Sequence, residues 1–499
     1  DKMKLKTKNI VQLLFLDAIL LFTFALFFAL PWGFKNYPLQ FQWNVFFVLA
    51  ADTSGADSGT GKSILFGFVI PTLIVFAVFK LVLYIFVKDE KKFMLIHKVT
   101  TLVSFVISVS ILVATSKLWI YFKIAKTILG KPEDSQFYNE NFIASESFKV
   151  VPPEKKRNLI YIFMESMEPG FTSVENGGLL RENLLPNISR LAEENINFGD
   201  RDTMRGGINL QGTSWTVAGL LSKTSAVPYF NPFVTKDGKK QCLPKLKKLG
   251  DFLYEQDYNL VFSMGSKKQF EERDIVLEQQ HFEVHDIDWY KSNNFLDKDY
   301  QVFWGFEDQK LYEFAKIELE ELSSQKKPFF YSMLTVDTHF PDGYKCGLCQ
   351  ENHTEKIENV FECADRQLES FIEWAKTQSW FDNTTIVITG DHNYLDALLN
   401  NFITRNSDLG KKEISESRRF LDIIINPVPE LNGVNQIRKF SSFDVMPTVL
   451  EALGNKIEGK GIYLGRSLFS EEPTLVEKYD APFVENETMT KNTVYESYK

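Results

Sequence analysis

Four side chains able to bind metal or phosphate each come directly after an apolar, strand-like run of the sequence. They are Glu165, His339, Asp391 and His392. In a parallel sheet covered by helices, ligands bind beyond the carboxyl ends of the strands, so these residues should meet at one edge of the sheet. Each has an ordinary structural explanation: an Asp-His pair or a histidine can simply belong to a loop, and Glu165 could pair with a surface lysine. Their shared position after strands favours a site.

Thr213 lies at the expected start of a helix, after Gly212, which permits a tight turn, and before an apolar segment that includes Trp215. A threonine at this position is usually only a helix cap. The alternative is that the free amides and the positive end of the helix dipole bind a phosphate and stabilise the alkoxide form of the hydroxyl. Because a free threonine hydroxyl is a poor nucleophile near neutral pH, this chemistry also requires a metal ion.

The set Glu165, Thr213, Asp391 and His392 offers three oxygen ligands and one nitrogen ligand. This mixture suits Mn²⁺ or Zn²⁺ and is poor for copper or an iron–sulfur cluster. His339 then remains to bind substrate phosphate or to protonate the leaving oxygen. The residue types therefore indicate a divalent-metal centre.

The elements that must position these residues alternate between strands and helices. A helical stretch such as 359–376 separates two of the strand-like runs. This alternation predicts an α/β fold with a mostly parallel central sheet covered by helices. The strand-like runs lie at 159–164, 258–263, 328–336, 385–389 and 420–426.

Nearly all the long apolar runs lie in residues 1–125, which we expect to form a helical transmembrane domain. Runs at 10–30, 64–87 and 99–122 are each long enough to cross a bilayer. The first is too long for a cleaved signal peptide, and no small-residue cleavage site follows it. Residues 45–51 are apolar but too short to span, so we expect them to dip into the membrane or to line a cavity.

Lysines before the first span, and between the second and third, assign both segments to the cytoplasm. The chain after residue 125 should then lie outside, with residues 126–154 as an interfacial linker. The formal net charge of −9 argues against nucleic acid as a partner.

Two opposite charges fall inside the first two spans. Asp17 and Lys80 each lie about eight residues from the cytoplasmic end of their span, which corresponds to a depth of roughly 12 Å at 1.5 Å per residue. An isolated charge at that depth is costly, so the sequence predicts an ion pair between them. The alternative is that Lys80 reaches the interface while Asp17 is protonated.

All four cysteines fall in the part of the chain assigned to the outside. An even number in an oxidising compartment favours disulfides. A zinc site is less favoured, since no second Cys-x-x-Cys accompanies Cys346 and Cys349. Three pairings are possible among Cys242, Cys346, Cys349 and Cys363.

Five motifs follow one another along the chain: Met-Glu-Ser at 164–166, Gly-Thr-Ser-Trp-Thr at 212–216, Leu-Thr-Val-Asp-Thr-His-Phe-Pro-Asp-Gly at 334–343, Gly-Asp-His at 390–392 and Ser-Phe-Asp-Val-Met-Pro-Thr-Val-Leu at 442–450. Taken in this order, they resemble the alkaline phosphatase/sulfatase superfamily. They are most similar to the membrane-bound phosphoglycerol transferases, whose relatives include lipoteichoic acid synthases and lipid A phosphoethanolamine transferases. The resemblance covers residues 155–470 and leaves 471–499 as a C-terminal tail.

The resemblance implies that Glu165, Thr213, Asp391 and His392 bind the metal, that Thr213 is the nucleophile and that His339 contacts substrate. It also implies the reaction. Phosphoglycerol would pass from phosphatidylglycerol to an extracytoplasmic glycan through a phosphoglyceryl-threonine, at the periplasmic face of a bacterial cytoplasmic (inner) membrane.

Other details bear on the substrate. Arg273 lies where relatives place substrate-binding polar groups, and is a candidate phosphate contact. The residues after His392 are Asn393 and Tyr394, not the Gly-Glu usual in phosphoethanolamine transferases. The segment 338–343 favours the branch that decorates periplasmic glucans. Phosphoethanolamine transfer to lipid A or glycan, and an inactive scaffold, are the alternatives.

Overall fold

The computed structural model describes residues 7–36, 65–114, 130–200, 204–340, 342–394, 402–403 and 405–499. Residues 45–51, expected to meet the membrane, lie outside these ranges. The chain divides into two compact units, and the second of them contains residues Lys131–Lys499.

The first unit is built from long apolar helices. Within the described residues, three stretches are long and apolar enough to cross a membrane: Ile10–Ala29, Leu65–Phe86 and Glu90–Ser110. The third helix begins at Glu90, well before the expected start of the span at residue 99, so the lysines assigned to the preceding connection lie mostly on the helix itself. The helices are α1 (Thr7–Asn36), α2 (Ile70–Phe86, preceded by a π-helical turn at Leu65–Val69) and α3 (Glu90–Ala114).

The ion pair between Asp17 and Lys80 is confirmed, and a further residue joins it. Lys80 Nζ lies 2.8 and 2.9 Å from the two carboxylate oxygens of Asp17. His97 Nε2 lies 2.7 Å from Asp17 Oδ1. Thr101 contacts the same histidine, donating to its carbonyl oxygen at 2.9 Å. One carboxylate on α1 thus connects to both α2 and α3 through short, charge-assisted contacts.

The second unit contains a six-stranded sheet, whose strand order is β6-β5-β7-β2-β8-β9. Its strands run parallel, except that β9 pairs antiparallel with β8. The mostly parallel sheet expected from the sequence is therefore confirmed. The strands of this unit are β1 (Lys149–Val151), β2 (Asn158–Met164), β3 (Phe233–Lys236), β4 (Lys239–Cys242), β5 (Asn259–Met264), β6 (Glu283–His285), β7 (Phe329–Leu334), β8 (Thr384–Gly390), β9 (Asp422–Ile425) and β10 (Lys456–Glu458).

The strands β2, β7 and β8 are buried along their whole length. Burial on both faces explains their continuous apolar character. The helices of this unit are α4 (Gln136–Asn141), α5 (Pro186–Glu194), α6 (Thr216–Ser225), α7 (Leu249–Glu255), α8 (Arg273–Glu278), α9 (Ile287–Ser292), α10 (Asp308–Ser324), α11 (Lys356–Lys376), α12 (Lys411–Ser417), α13 (Val445–Ala452), α14 (Leu475–Lys478), α15 (Ala481–Thr488) and α16 (Thr493–Ser497).

Residues 471–499, expected to be a tail, are instead part of this compact unit. Tyr495 is buried, and its hydroxyl donates to the carbonyl oxygen of Pro228 at 2.8 Å and accepts from the amide of Phe230 at 3.3 Å. Gly212, in the turn before α6, has φ +76°, and a Cβ there would come within 2.7 Å of Met489 Sδ. Aromatic and apolar side chains near the C-terminus therefore hold the turn that leads into α6.

The described part of the expected linker at 126–154 also belongs to the second unit. There β1 pairs antiparallel with β10. Cysteine pairing is also settled: Cys349 and Cys363 form a disulfide, while Cys242 and Cys346 are free.

We expect Asp17→Asn to destabilise the full-length protein in detergent by about 2 kcal/mol, because Lys80 and His97 lose their shared charged acceptor. Thermal unfolding would measure this. Lys88→Met is a matched control, since among the described residues that exposed ammonium has no acidic partner and contacts only Tyr84, through its carbonyl oxygen at 3.5 Å and its ring. The double variant Asp17→Asn/Lys80→Met should be destabilised by less than the sum of its parts, whereas simple additivity would show that the pair contributes no coupling energy.

Candidate active site

The carboxyl ends of three neighbouring strands are level with one another. Met164 at the end of β2 pairs with Gly390 at the end of β8, and Phe163 pairs with Leu334 at the end of β7. Residues that follow these strands therefore emerge side by side at one edge of the sheet. This register brings Glu165 next to Asp391.

Glu165, Asp391 and His392 form one cluster, in which each offers a ligand atom within 4.8 Å of the others. His392 Nε2 lies 3.6 Å from Glu165 Oε1 and 3.4 Å from Asp391 Oδ2. All three residues are buried. The structure thus brings together three of the four metal ligands expected from the sequence.

Neighbouring groups fix the two carboxylates and leave one oxygen free. Asp391 Oδ1 accepts from the amides of Ser166 and His392, both at 2.7 Å. The Ser166 hydroxyl donates to Glu165 Oε1 at 2.6 Å. Asp391 Oδ2 is buried and accepts no hydrogen bond from any described residue. A buried, unpaired carboxylate oxygen facing a histidine nitrogen is the kind of position that a cation fills.

The protonation of His392 follows from its other ring nitrogen. Its Nδ1 lies 2.7 Å from the carbonyl oxygen of Asn393. A carbonyl oxygen can only accept, so Nδ1 carries the proton and Nε2 presents its lone pair to Glu165 and Asp391. This is the arrangement by which proteins orient a metal-binding imidazole.

The electrostatics of the cluster also favour a cation. Burial, together with the nearby carboxylate of Asp391, raises the pKa of Glu165 well above its ordinary value, although the bond from Ser166 opposes this. Two buried carboxylates side by side favour protonation of one of them unless a positive charge neutralises both. The oxygen, oxygen and nitrogen donors therefore fit a divalent cation such as Mn²⁺ or Zn²⁺.

The threonine that reaches this cluster is Thr216, not Thr213. Thr216 Oγ1 lies 3.5 Å from Glu165 Oε2 and 3.4 Å from His392 Nε2. The hydroxyl of Thr213 is fully buried and donates to the carbonyl oxygen of Leu210 at 2.8 Å. The sequence predicts a helix that starts at Thr213, whereas α6 begins at Thr216, almost one turn later. The candidate nucleophile therefore moves to Thr216.

Two residues missed by the sequence analysis fasten α6 to the cluster. A Cβ at Gly219 would come within 2.1 Å of the carbonyl oxygen of Asp391, so only glycine permits this approach. Lys223 is fully buried and donates to the same oxygen at 2.8 Å. Burial lowers the pKa of Lys223 to about 8. A lysine within an apolar helical segment was the available signal, and it was not used.

His339 lies near the cluster, but its protonation differs from the expectation. Burial lowers its pKa to about 4, and the positive charge of Arg273 acts in the same direction. Its Nδ1 lies 2.9 Å from the carbonyl oxygen of Phe340, so Nε2 carries the lone pair. A neutral imidazole with this tautomer accepts protons at neutral pH. It is therefore better suited to act as a base than to protonate a leaving oxygen.

Arg273 supplies a buried positive charge on the same side of the sheet. Its Nε donates to the carbonyl oxygen of Phe270 at 2.9 Å, and its Nη2 to that of Lys267 at 2.8 Å. Burial lowers the pKa of Arg273, whereas the negative charges of Glu271, Glu165 and Asp391 raise it. The guanidinium is thus held close enough to the cluster to interact with its carboxylates, as a phosphate contact would require.

The amino-acid sequence of this chain is similar to those of known proteins. A family model described as Sulfatase matches residues 157–455. Phosphoglycerol transferase I of Escherichia coli (strain 55989 / EAEC) is 28% identical over 353 residues, which cover 68% of this chain and 42% of that protein. The chain therefore spans less than half the length of the curated relatives it matches.

Among solved structures, the integral membrane protein lipooligosaccharide phosphoethanolamine transferase A from Neisseria meningitidis gives a TM-score of 0.51 at 14% identity. The match covers 89% of this chain and 84% of that one. At this identity the likeness shows a shared fold.

We expect Asp391→Asn to weaken divalent-cation binding by at least about 100-fold, because changes to groups that only support a metal ligand already cost about 10–100-fold. Isothermal titration of the metal-free protein with Mn²⁺ and with Zn²⁺ would measure the change. Glu283→Gln is the matched control, since its carboxylate is 67% exposed on β6 and should not alter binding. An affinity unchanged in Asp391→Asn would exclude this cluster as the metal site.

Proposed function

The chain belongs to the sulfatase family of the alkaline phosphatase superfamily, and from that membership and the site geometry we propose that it is a metal-dependent phosphoglycerol transferase. Its donor is phosphatidylglycerol and its acceptor is an extracytoplasmic glycan. The observation that carries the proposal is the Thr216 hydroxyl at the start of α6, within 3.5 Å of both Glu165 and His392. The apolar helices fit a lipid donor, and we propose that they anchor the enzyme in a bacterial cytoplasmic membrane.

In the first step, the hydroxyl of Thr216 loses its proton to solvent and its Oγ1 attacks the phosphorus of the lipid. The bond from phosphorus to the diacylglycerol oxygen breaks, that oxygen takes a proton from solvent, and phosphoglycerol remains on the threonine. A divalent cation held by Glu165, Asp391 and His392 would lower the pKa of the threonine hydroxyl and offset charge on the phosphate oxygens. The start of α6 and the guanidinium of Arg273 add positive potential in the same place. Diacylglycerol stays in the membrane.

In the second step, a hydroxyl of the glycan attacks the same phosphorus and releases Thr216. His339 Nε2 is unprotonated and is suited to take the proton of that hydroxyl. A covalent intermediate permits the two bulky substrates to visit the site in turn, so neither has to share it with the other. Thr216 thus replaces Thr213 as the residue that carries phosphoglycerol.

Transfer of phosphoethanolamine is the second candidate, and one residue favours it. Glu271 is buried, and its Oε2 accepts from the amide of Val217, the residue after Thr216, at 3.4 Å. Burial raises its pKa to about 7, and the charge of Arg273 opposes this. A carboxylate there would attract the ammonium of an ethanolamine head group more than the neutral glycerol. Incubation with labelled phosphatidylglycerol or phosphatidylethanolamine, with and without Mn²⁺, separates the candidates by the head group released. Release from neither lipid would support an inactive scaffold.

We expect Thr216→Ala to abolish head-group release while leaving the fold intact, because the attacking oxygen is removed. Thr213→Ala is the matched control: it loses the hydrogen bonds of its hydroxyl with Asn209 and Leu210 in the preceding turn and should retain most activity, at a stability cost of about 2 kcal/mol. Mass spectrometry after brief exposure to donor alone should find the peptide containing Thr216 heavier by one glycerophosphoryl group. Two results together would refute the assignment of Thr216 as the nucleophile: normal head-group release by Thr216→Ala, and no added mass on the Thr216 peptide of the wild-type protein.

Removal of the metal should stop the reaction, since the hydroxyl of Thr216 is then a poor nucleophile. We expect a chelated preparation to lose turnover and added Mn²⁺ or Zn²⁺ to restore it, with metal content followed by elemental analysis. Full activity in a preparation shown to be metal-free would rule out the metal-dependent mechanism.

A further inference from the structure

Three sulfur atoms meet in the second unit. The disulfide between Cys349 and Cys363 joins the chain segment after β7 to α11. The free thiol of Cys346 lies 3.6 Å from Cys349 Sγ and 4.0 Å from Cys363 Sγ. A small movement of the Cys346 side chain would therefore bring its thiol into contact with either sulfur of the disulfide.

The cysteines terminate the loop that carries His339. The amide of Gly343 donates to the carbonyl oxygen of His339 at 3.0 Å, and that of Tyr344 to the carbonyl oxygen of Asp337 at 2.7 Å. Cys346 follows directly, and the amide of Cys349 donates to its carbonyl oxygen at 3.2 Å. The disulfide therefore fixes the loop between β7 and α11, which carries His339, covalently to α11.

We propose that these cysteines form a thiol–disulfide exchange site in which Cys346 replaces Cys349 as the partner of Cys363. The thiolate of Cys346 attacks Cys363 Sγ, a bond forms between these two sulfurs, and the bond between Cys349 and Cys363 breaks. Cys349 leaves as a thiolate that takes a proton from water, while the proton of Cys346 has gone to water. One thiol and one disulfide give one thiol and one disulfide, so no oxidant or reductant is consumed.

Burial decides which sulfur is released. Cys363 is 1% exposed, whereas Cys349 is only partly buried. A departing thiolate is more stable where water reaches it, so attack on Cys363 with loss of Cys349 is favoured over the reverse. Because Cys346 lies nearly equally far from both sulfurs, it must rotate into line with the bond before attack. Burial also raises the pKa of its thiol, so exchange should be slow near neutral pH and faster above it.

Exchange would alter how the loop is held. The anchor would move along the chain from Cys349 to Cys346, which is three residues closer to His339. The loop between the reacting centre and α11 then has a shorter tether, and a partly exposed thiol is released at Cys349. The inference concerns the cysteines alone and does not depend on the transfer reaction.

The unmodified full-length protein provides the first test. It is incubated with iodoacetamide at about pH 6 and about pH 8.5, digested without reduction and analysed by mass spectrometry. Cys346 and Cys349 share the tryptic peptide 346–356, so fragment spectra locate the label. We expect alkylated Cys349 in peptides where Cys346 is linked to Cys363, several-fold more at the higher pH. Label confined to Cys346, or absent from Cys349, would overturn the proposal.

Single variants provide the second test. In Cys349→Ser, Cys346 and Cys363 should form a disulfide. Cys346→Ser should keep the original bond and lose the label on residue 349. Cys242→Ser is the matched control, because Cys242 is a buried free thiol that no described contact places near these sulfurs, and its loss should change nothing. If Cys363 in Cys349→Ser can still be alkylated after air oxidation, no exchange site exists. If that variant misfolds, the experiment on the unmodified protein decides the case.

Discussion

The closeness of two buried carboxylates, Glu165 and Asp391, is the constraint on which the catalytic unit depends. Each would be costly to bury alone, and together they repel each other. The sheet register brings them together, and the amides of Ser166 and His392 and the hydroxyl of Ser166 donate to them. Oδ2 of Asp391 accepts no hydrogen bond from the described residues. The site therefore fits a cation, which we propose would neutralise the two carboxylates.

The strands and their ends could be predicted because the physics is local. Buried parallel strands read as unbroken apolar runs, and the side chains after them must converge, so Glu165, Asp391 and His392 were found. The start of α6 could not be predicted in this way. Thr213 and Thr216 lie three residues apart in similar surroundings, and the residue before the helix, Trp215, makes no side-chain cap. What decides the position is the distant approach of α6 to the backbone of Asp391, which no local pattern records.

The contrast between local pattern and distant contact also explains which features of the first unit, and of the cysteines, could be predicted. Depth counting found the partners Asp17 and Lys80, because both lie within apolar runs. His97 was missed because Glu90 and the lysines after it lower the local hydropathy, so the third helix was expected to begin only at residue 99, beyond the histidine. Composition locates the apolar core of a helix, not its first turns. Cysteine pairing depends on distances across the fold, and only the structure supplies those.

The contacts of Tyr495 with Pro228 and Phe230 have a consequence for how the protein is made. They join positions about 265 residues apart, and Met489 packs beneath the turn at Gly212. A chain delivered across a membrane from its N-terminal side presents α6 long before these partners arrive. The turn before α6, and with it Thr216, therefore gains these contacts only after residue 495 has been delivered. In a domain exported as we propose, Thr216 would be held in place only late in export.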